Sequence, residues 1–201
     1  KPWVAYNYYT VLHFLLAGAG AYALARVMHV SRSGALLAGI CYILAGPVLY
    51  HAHHTNIVVA ESWMPLLLVL AELAFRRRTA GPLLGFAAVA ALVALGGQPQ
   101  YTIYCALVCG LFLLWRARVA LTVPGSGWAV ARVLVGFGLA GALSALLAAV
   151  QLLPLAELVG QTSRAGTEFL VPLVNSASAR NLITTLLPHY FGSPGLGSYW
   201  G

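Results

Sequence analysis

The stretch GPVLYHAHHTNIVVAESWMP, residues 46–65, joins two apolar segments of the chain through a polar turn. The turn contains three histidines and Asn56, and Glu61 follows near the start of the second apolar segment. Two further polar turns occur around Gln98 and after Gln151. We expect these three turns to lie on the same side of a membrane and to face one another.

Composition points to a membrane protein. Of the 201 residues, 61% are hydrophobic and 7% are charged, whereas soluble domains carry about 25% charged residues. Only helices and closed barrels can span a bilayer, and the apolar residues here run continuously over helix-spanning lengths. We therefore predict an all-α, polytopic bundle of transmembrane helices.

The apolar runs predict about six spanning helices within residues 1–153. Their expected bounds are residues 8–28, 34–50, 57–75, 80–97, 99–115 and 130–153. Pro65 is expected to kink the third helix, and Pro154 to kink or end the sixth. Residues 154–201 are expected to form an outer-side loop with short interfacial helices, because the apolar piece 182–187 is too short to span and is typical of an interfacial or re-entrant segment.

The arginines indicate which side of the membrane each turn occupies. Eight of them follow helices one, three and five: Arg26, Arg32, Arg76, Arg77, Arg78, Arg116, Arg118 and Arg132. The opposite side holds Lys1, Arg164 and Arg180. The positive-inside rule therefore places the N-terminus, the polar turns and the C-terminal stretch outside the cytoplasm. This distribution accounts for the net charge of +7 without nucleic acid as a partner, and the run Arg76–Arg78 is expected to attract anionic lipid headgroups.

The histidine turn allows two interpretations. His51, His53 and His54 could ligate a metal, but they cannot share one helix face, and only Glu61 is placed to complete a ligand set. The alternative is interfacial histidines solvated by lipid headgroups, so we assign neither a metal nor another cofactor. His13, within the first helix, could ligate a pigment, but a hydrogen bond to a neighbouring helix is the favoured interpretation.

The other outer polar residues each have a functional and a plain interpretation. Glu61 and Trp63 could bind a sugar or a headgroup through hydrogen bonding and stacking, or simply lie at the interface. Gln98 and Gln100 flank Pro99 where a helix breaks, and broken helices often line sites; a polar turn is the alternative.

Two arginines of the outer C-terminal stretch are candidates for phosphate contact. A guanidinium pairs with phosphate in bidentate fashion, which favours Arg164, next to Ser163, and then Arg180. On the inner side, Glu72 precedes Arg76 by four residues, the favourable order for a helical ion pair.

Seven short segments, taken together, carry a family resemblance. They are Ala5–Asn7, Gly46–Asn56, Glu61–Pro65, Gly97–Gln100, Gln151–Glu157, Ser163–Arg164 and Leu187–Gly192. In this order they resemble the bacterial YfhO-type membrane proteins, which are similar to polytopic glycosyltransferases of the GT-C superfamily. His189 departs from the pattern, because an Asp is expected after Pro188.

The resemblance implies an enzyme of the bacterial inner membrane that transfers a sugar from a polyprenyl-phosphate donor to a cell-envelope acceptor outside the cytoplasm. In that superfamily the acidic base lies in the first outer loop, and this sequence is expected to be a fragment that begins after that loop. No catalytic residue is therefore carried over. The expected substrate-binding residues are His54, Glu61, Gln98, Gln151, Glu157, Ser163, Arg164 and Arg180.

Two other functions stay open at this point. One is a non-catalytic transmembrane subunit of a larger complex that packs through the small residues of Gly18–Ala21 and Gly136–Gly141 and holds a pigment or a lipid. The other is a transporter, which broken helices favour, although no inverted repeat is visible.

Overall fold

The computed structural model describes residues 2–161, 183–184, 187 and 190, and in this part of the chain the regular structure is entirely helical. The helices are α1 (Pro2–Val27), α2 (Arg32–Ile43), α3 (Gly46–Tyr50), α4 (Thr55–Arg77), α5 (Ala80–Leu95), α6 (Pro99–Leu121), α7 (Gly127–Leu147) and α8 (Ala149–Gln161), with a 3-10 turn, His51–His53, after α3. The chain divides into two compact units, Lys1–Pro154 and Leu155–Gly201. Everything below on packing concerns the first unit.

Four helices of the described residues are long and apolar enough to cross a membrane: Trp3–Val27, Thr55–Arg77, Pro99–Leu121 and Gly127–Leu147. A fifth span results if Arg32–Ile43 and Gly46–His53 are taken together, with a bend of 41° between them. Helix α5 has 16 residues, or about 24 Å at about 1.5 Å per residue, which is short for a hydrocarbon core of about 30 Å. The prediction of an all-helical membrane protein is confirmed, with four to five candidate spans where about six were expected.

Two of the predicted helices are interrupted. The second predicted helix breaks after Ile43, and α3 begins at Gly46 with Pro47 in its first turn. Proline is tolerated there because the N–H groups of a first turn make no hydrogen bond within the helix. The sixth ends at Leu147 rather than at residue 153, and Pro154 lies inside the next helix, α8. Pro154 was expected to kink or end the sixth helix, but that helix ends before reaching it.

Helix α4 is the centre of the first unit. Of its spanning window 61% is buried, against 17% for the windows of α1 and α6. The largely buried core around it contains Leu67 and Phe75 of α4, Phe86 of α5, Cys109 of α6 and Phe137 of α7. Phe86 and Phe137 meet edge to face, with ring centroids 5.1 Å apart, an arrangement that aromatic pairs prefer.

The small residues of α1 allow two helices to approach closely. A Cβ on Gly39 of α2 would lie 2.8 Å from the carbonyl oxygen of Gly18, and a Cβ on Gly20 would lie 3.3 Å from Cβ of Pro65 in α4. Ala17 is fully buried. The small residues of α1 therefore pack against α2 and α4 within the chain.

Candidate functional site

Glu61 and His51 form a largely buried pair at one end of the first unit. Oε1 of Glu61 lies 2.8 Å from Nδ1 of His51, and the two side chains are 12% and 16% exposed. A carboxylate oxygen only accepts hydrogen bonds, so the geometry is satisfied when Nδ1 carries the proton. Nε2 of His51 can then accept from the hydroxyl of Tyr101, 3.2 Å away. The result is a chain of three polar side chains from α4, the 3-10 turn and α6.

Pro65 explains how the backbone of Glu61 is positioned. In a regular helix the carbonyl of residue 61 accepts from the N–H of residue 65, but proline has no N–H. The hydroxyl of Tyr42, in α2, donates to this carbonyl at 2.8 Å instead. Tyr42 thus satisfies an acceptor that the sequence of α4 leaves open, and it fixes α2 against α4 next to the Glu61 carboxylate.

One oxygen of Glu61 has no hydrogen-bond partner among the described residues. In the described part of the chain, Oε2 is buried and makes no hydrogen bond. Leaving a buried carboxylate oxygen unsatisfied is costly. The carboxylate is therefore anchored at Oε1 and available to a donor group at Oε2.

The predicted polar turns around Asn56 and Gln98 meet, and the side chain of Gln151 lies beside Gly97. Nδ2 of Asn56 donates to Oε1 of Gln98 at 3.1 Å. Gly97 has a φ of +78°, and a Cβ there would lie 3.0 Å from Nε2 of Gln151. Glycine at position 97 therefore gives the turn its left-handed backbone and leaves room for the Gln151 side chain. We call this end of the first unit the histidine end.

His51, not His54, belongs to the polar network. His54 is exposed and lies against the ring of His53, with centroids 4.0 Å apart and 6.1 Å from the ring of His51. From the sequence we placed His54 among the site residues and favoured solvation by headgroups for all three histidines. Neither interpretation identified His51 as the partner of Glu61. One feature of the sequence distinguishes His51 from the other two histidines. It immediately follows the short helix α3, which has Pro47 in its first turn. Among the described residues, no three groups able to ligate a metal come close enough to hold one.

A cavity of about 370 Å³ lies between α1, α4 and α5, and Glu61, His51 and Tyr101 are not part of its lining. Its lining includes Tyr9, His13, Asn56 and Trp63, so it combines aromatic faces with an amide that also bonds Gln98. Nδ1 of His13 contacts the carbonyl of Tyr9 at 2.9 Å, within its own helix. The expected hydrogen bond from His13 to another helix was therefore wrong.

A second polar cluster lies at the opposite end of the helices. The predicted pair of Glu72 and Arg76 is confirmed, with Oε1 2.7 Å from Nε of Arg76. The other oxygen of Glu72 accepts from Nε of Arg116, 44 residues away in sequence, and Nη1 of Arg76 lies 2.9 Å from Nε2 of His29. We call this the arginine end; the contacts of Arg116 and His29 were not foreseen, because no local spacing encodes them.

The remaining candidate residues belong to the second unit or fall outside the described residues. Glu157, on α8 in the second unit, is exposed. Ser163, Arg164, Arg180 and His189 fall outside the described residues, as do three of the six residues in the range 182–187. Their proposed roles stay predictions.

Comparison with known proteins adds no family or function. No protein-family model matches the chain, and no curated protein or solved structure matches it. The resemblance drawn from the seven segments therefore remains a hypothesis, and function is argued from the residues at the histidine end.

Proposed function

We propose that this chain forms the core of a bacterial inner-membrane glycosyltransferase. It takes a sugar from a polyprenyl-phosphate donor and transfers it to a cell-envelope acceptor, with the histidine end facing outside the cytoplasm. The observation that carries the proposal is the network of Glu61, His51 and Tyr101, because it supplies an oriented base at the end of the first unit where the turns around Asn56 and Gln98 meet.

The network suits proton removal from an acceptor hydroxyl. Glycosyl transfer forms a bond from the acceptor oxygen to the anomeric carbon, while the bond to the phosphate oxygen breaks and the phosphate leaves with the electron pair. Nε2 of His51 takes the hydroxyl proton, and Glu61 at Nδ1 holds the tautomer and stabilises the imidazolium that forms. Tyr101, now the partner of Nε2, marks the position where an acceptor hydroxyl would sit.

The cavity between α1, α4 and α5 offers groups that could bind a sugar. Sugars are bound by hydrogen bonds to amide and carboxylate groups and by stacking on aromatic rings. In the cavity of about 370 Å³, Trp63 and Tyr9 provide aromatic rings and Asn56 provides an amide. Arg164, with Ser163, and Arg180 are proposed to contact the donor phosphate.

The test is sugar transfer by the full-length protein in liposomes. Polyprenyl-phosphate donors with a radiolabelled sugar are supplied, and membranes from cells that lack the protein provide the acceptor. The wild type is expected to label an envelope product, and His51→Gln to lower the rate by at least about 100-fold, the usual contribution of a general base. His53→Gln is the matched control, because His53 is exposed and outside the network, and it should retain nearly full activity. Absence of labelled product with every donor contradicts the proposal.

A non-catalytic membrane subunit is the second candidate, favoured by the open surface of α6 and α7. Large apolar side chains of α6 are well exposed, including Leu107 and Leu111, and a Cβ on Gly138 or Gly141 of α7 would meet no atom within 4 Å. The small residues of α1, by contrast, are already used for packing inside the chain. Co-purification with a partner helix protein, together with no transfer activity, would favour this function.

A further inference from the structure

Glu72 holds two arginines in a fixed orientation at the arginine end. The Glu72 side chain is 2% exposed and accepts from Nε of Arg76 and from Nε of Arg116. Each guanidinium therefore uses its inner nitrogen on the carboxylate. The guanidinium carbon of Arg116 also lies 5.6 Å from the ring centroids of both Phe75 and Trp115, contacts that further restrict its plane.

The outer nitrogens of this pair retain donor capacity. In the described part of the chain the Nη atoms of Arg116 make no hydrogen bond, and Arg76 uses only Nη1, on His29. Two guanidiniums and one carboxylate leave a charge of +1, and Arg77, Arg78 and Arg118 follow close by in sequence. Such a site has an excess of positive charge and forked donors whose positions are already fixed, which is what a phosphate group requires.

The positions of Arg76 and Arg116 along their helices favour the phosphate of a lipid over a free phosphate. Arg76 lies one residue before the end of the α4 span, and Arg116 lies five residues before the end of the α6 span. These positions lie at the level of lipid headgroups, and the Arg76 and Arg116 side chains are 35% and 16% exposed. We propose that Arg76 and Arg116 bind the phosphate of an anionic lipid headgroup. This binding site is independent of the function proposed for the histidine end.

The experiment titrates a short-chain phosphatidylglycerol into the detergent-purified protein and follows the unfolding temperature. Lysine keeps the charge that pairs with Glu72 but lacks the forked nitrogens. Arg116→Lys is therefore expected to weaken binding by about tenfold, equivalent to one charge-assisted hydrogen bond. Arg118→Lys, two residues further along α6 and exposed, is the matched control and should bind within about twofold of the wild type.

Three outcomes overturn the proposal. Equal weakening by Arg116→Lys and Arg118→Lys would mean unspecific attraction to the basic surface. An equal stabilisation by inorganic phosphate would assign the site to a free anion, and an equal stabilisation by short-chain phosphatidylcholine would remove the preference for anionic lipid. If Arg116→Lys does not fold, Arg76→Lys provides the same comparison, because its side chain is the more exposed of the two.

Discussion

Tyr42 donates a hydrogen bond of 2.8 Å to the backbone carbonyl of Glu61, the carbonyl that Pro65 leaves without its helical partner. The bond connects α2 to α4 immediately beside the Glu61 carboxylate. A proline in the middle of the central helix is thus compensated by a side chain from a helix that itself ends one residue after Tyr42, at Ile43. Helix packing and the position of the candidate site depend on the same contact.

Tyr42→Phe removes this hydrogen bond without changing the ring. The carbonyl of Glu61 is then unsatisfied, and we expect a loss of about 1–3 kcal/mol in the free energy of unfolding, measured by thermal or denaturant unfolding in detergent. Tyr22→Phe is the matched control, since Tyr22 of α1 makes no hydrogen bond through its hydroxyl in the described part of the chain. Equal stability of the two variants would show that the carbonyl is satisfied in another way.

Gly39→Ala is expected to weaken the contact between α1 and α2. The added Cβ would lie 2.8 Å from the carbonyl oxygen of Gly18, and backbone cannot move aside as a flexible side chain can. We expect a loss of about 1–3 kcal/mol, the usual range for overpacking. Gly110→Ala in α6 is the comparison, because a Cβ there meets nothing within 4 Å, and the better helix propensity of alanine should leave stability unchanged or slightly raised. A neutral Gly39→Ala would contradict the close approach.

The features that the sequence predicts well are those encoded by local pattern. Continuous apolar runs predict membrane helices, the small residues around Gly18 predict close packing, and the four-residue spacing of Glu72 and Arg76 predicts their ion pair. The meeting of the turns around Asn56 and Gln98 also follows from simple alternation of antiparallel helices, and the contact of Asn56 with Gln98 confirms it.

The features that the sequence does not reveal depend on contacts between distant residues. Arg116 reaches Glu72 across 44 positions, and Tyr101 reaches His51 across 50. His51, rather than His54, contacts Glu61. The chain bends by 41° between Arg32–Ile43 and Gly46–His53, and nothing in residue spacing specifies the direction of that bend. Composition likewise shows that α5 is apolar but does not determine where it ends.

Glu72→Leu is expected to be among the most destabilising single changes in the first unit. It leaves the guanidinium of Arg116, which is 16% exposed, without its carboxylate. Removing one member of a buried ion pair costs about 3–5 kcal/mol. Glu157→Leu, at an exposed position of α8, is the control for loss of a carboxylate alone, and unfolding of both variants in detergent gives the comparison. Similar stabilities would indicate that lipid or water fully replaces Glu72 as the partner of Arg116.

The proposed sidedness is tested by two single cysteines at opposite ends of the α4 region. His53→Cys lies in the exposed part of the histidine turn and Arg78→Cys follows the end of α4 at an exposed position, and both are placed in a background in which Cys41, Cys105 and Cys109 are replaced by alanine. The excess of arginine at the arginine end predicts that this end stays in the cytoplasm. A membrane-impermeant maleimide should therefore label the cysteine at position 53 in intact cells and the cysteine at position 78 only after permeabilisation. Because α4 is a continuous helix of 23 residues between these positions, labelling of both from one side would mean that α4 does not cross the membrane, and the proposed outer site would have to be abandoned.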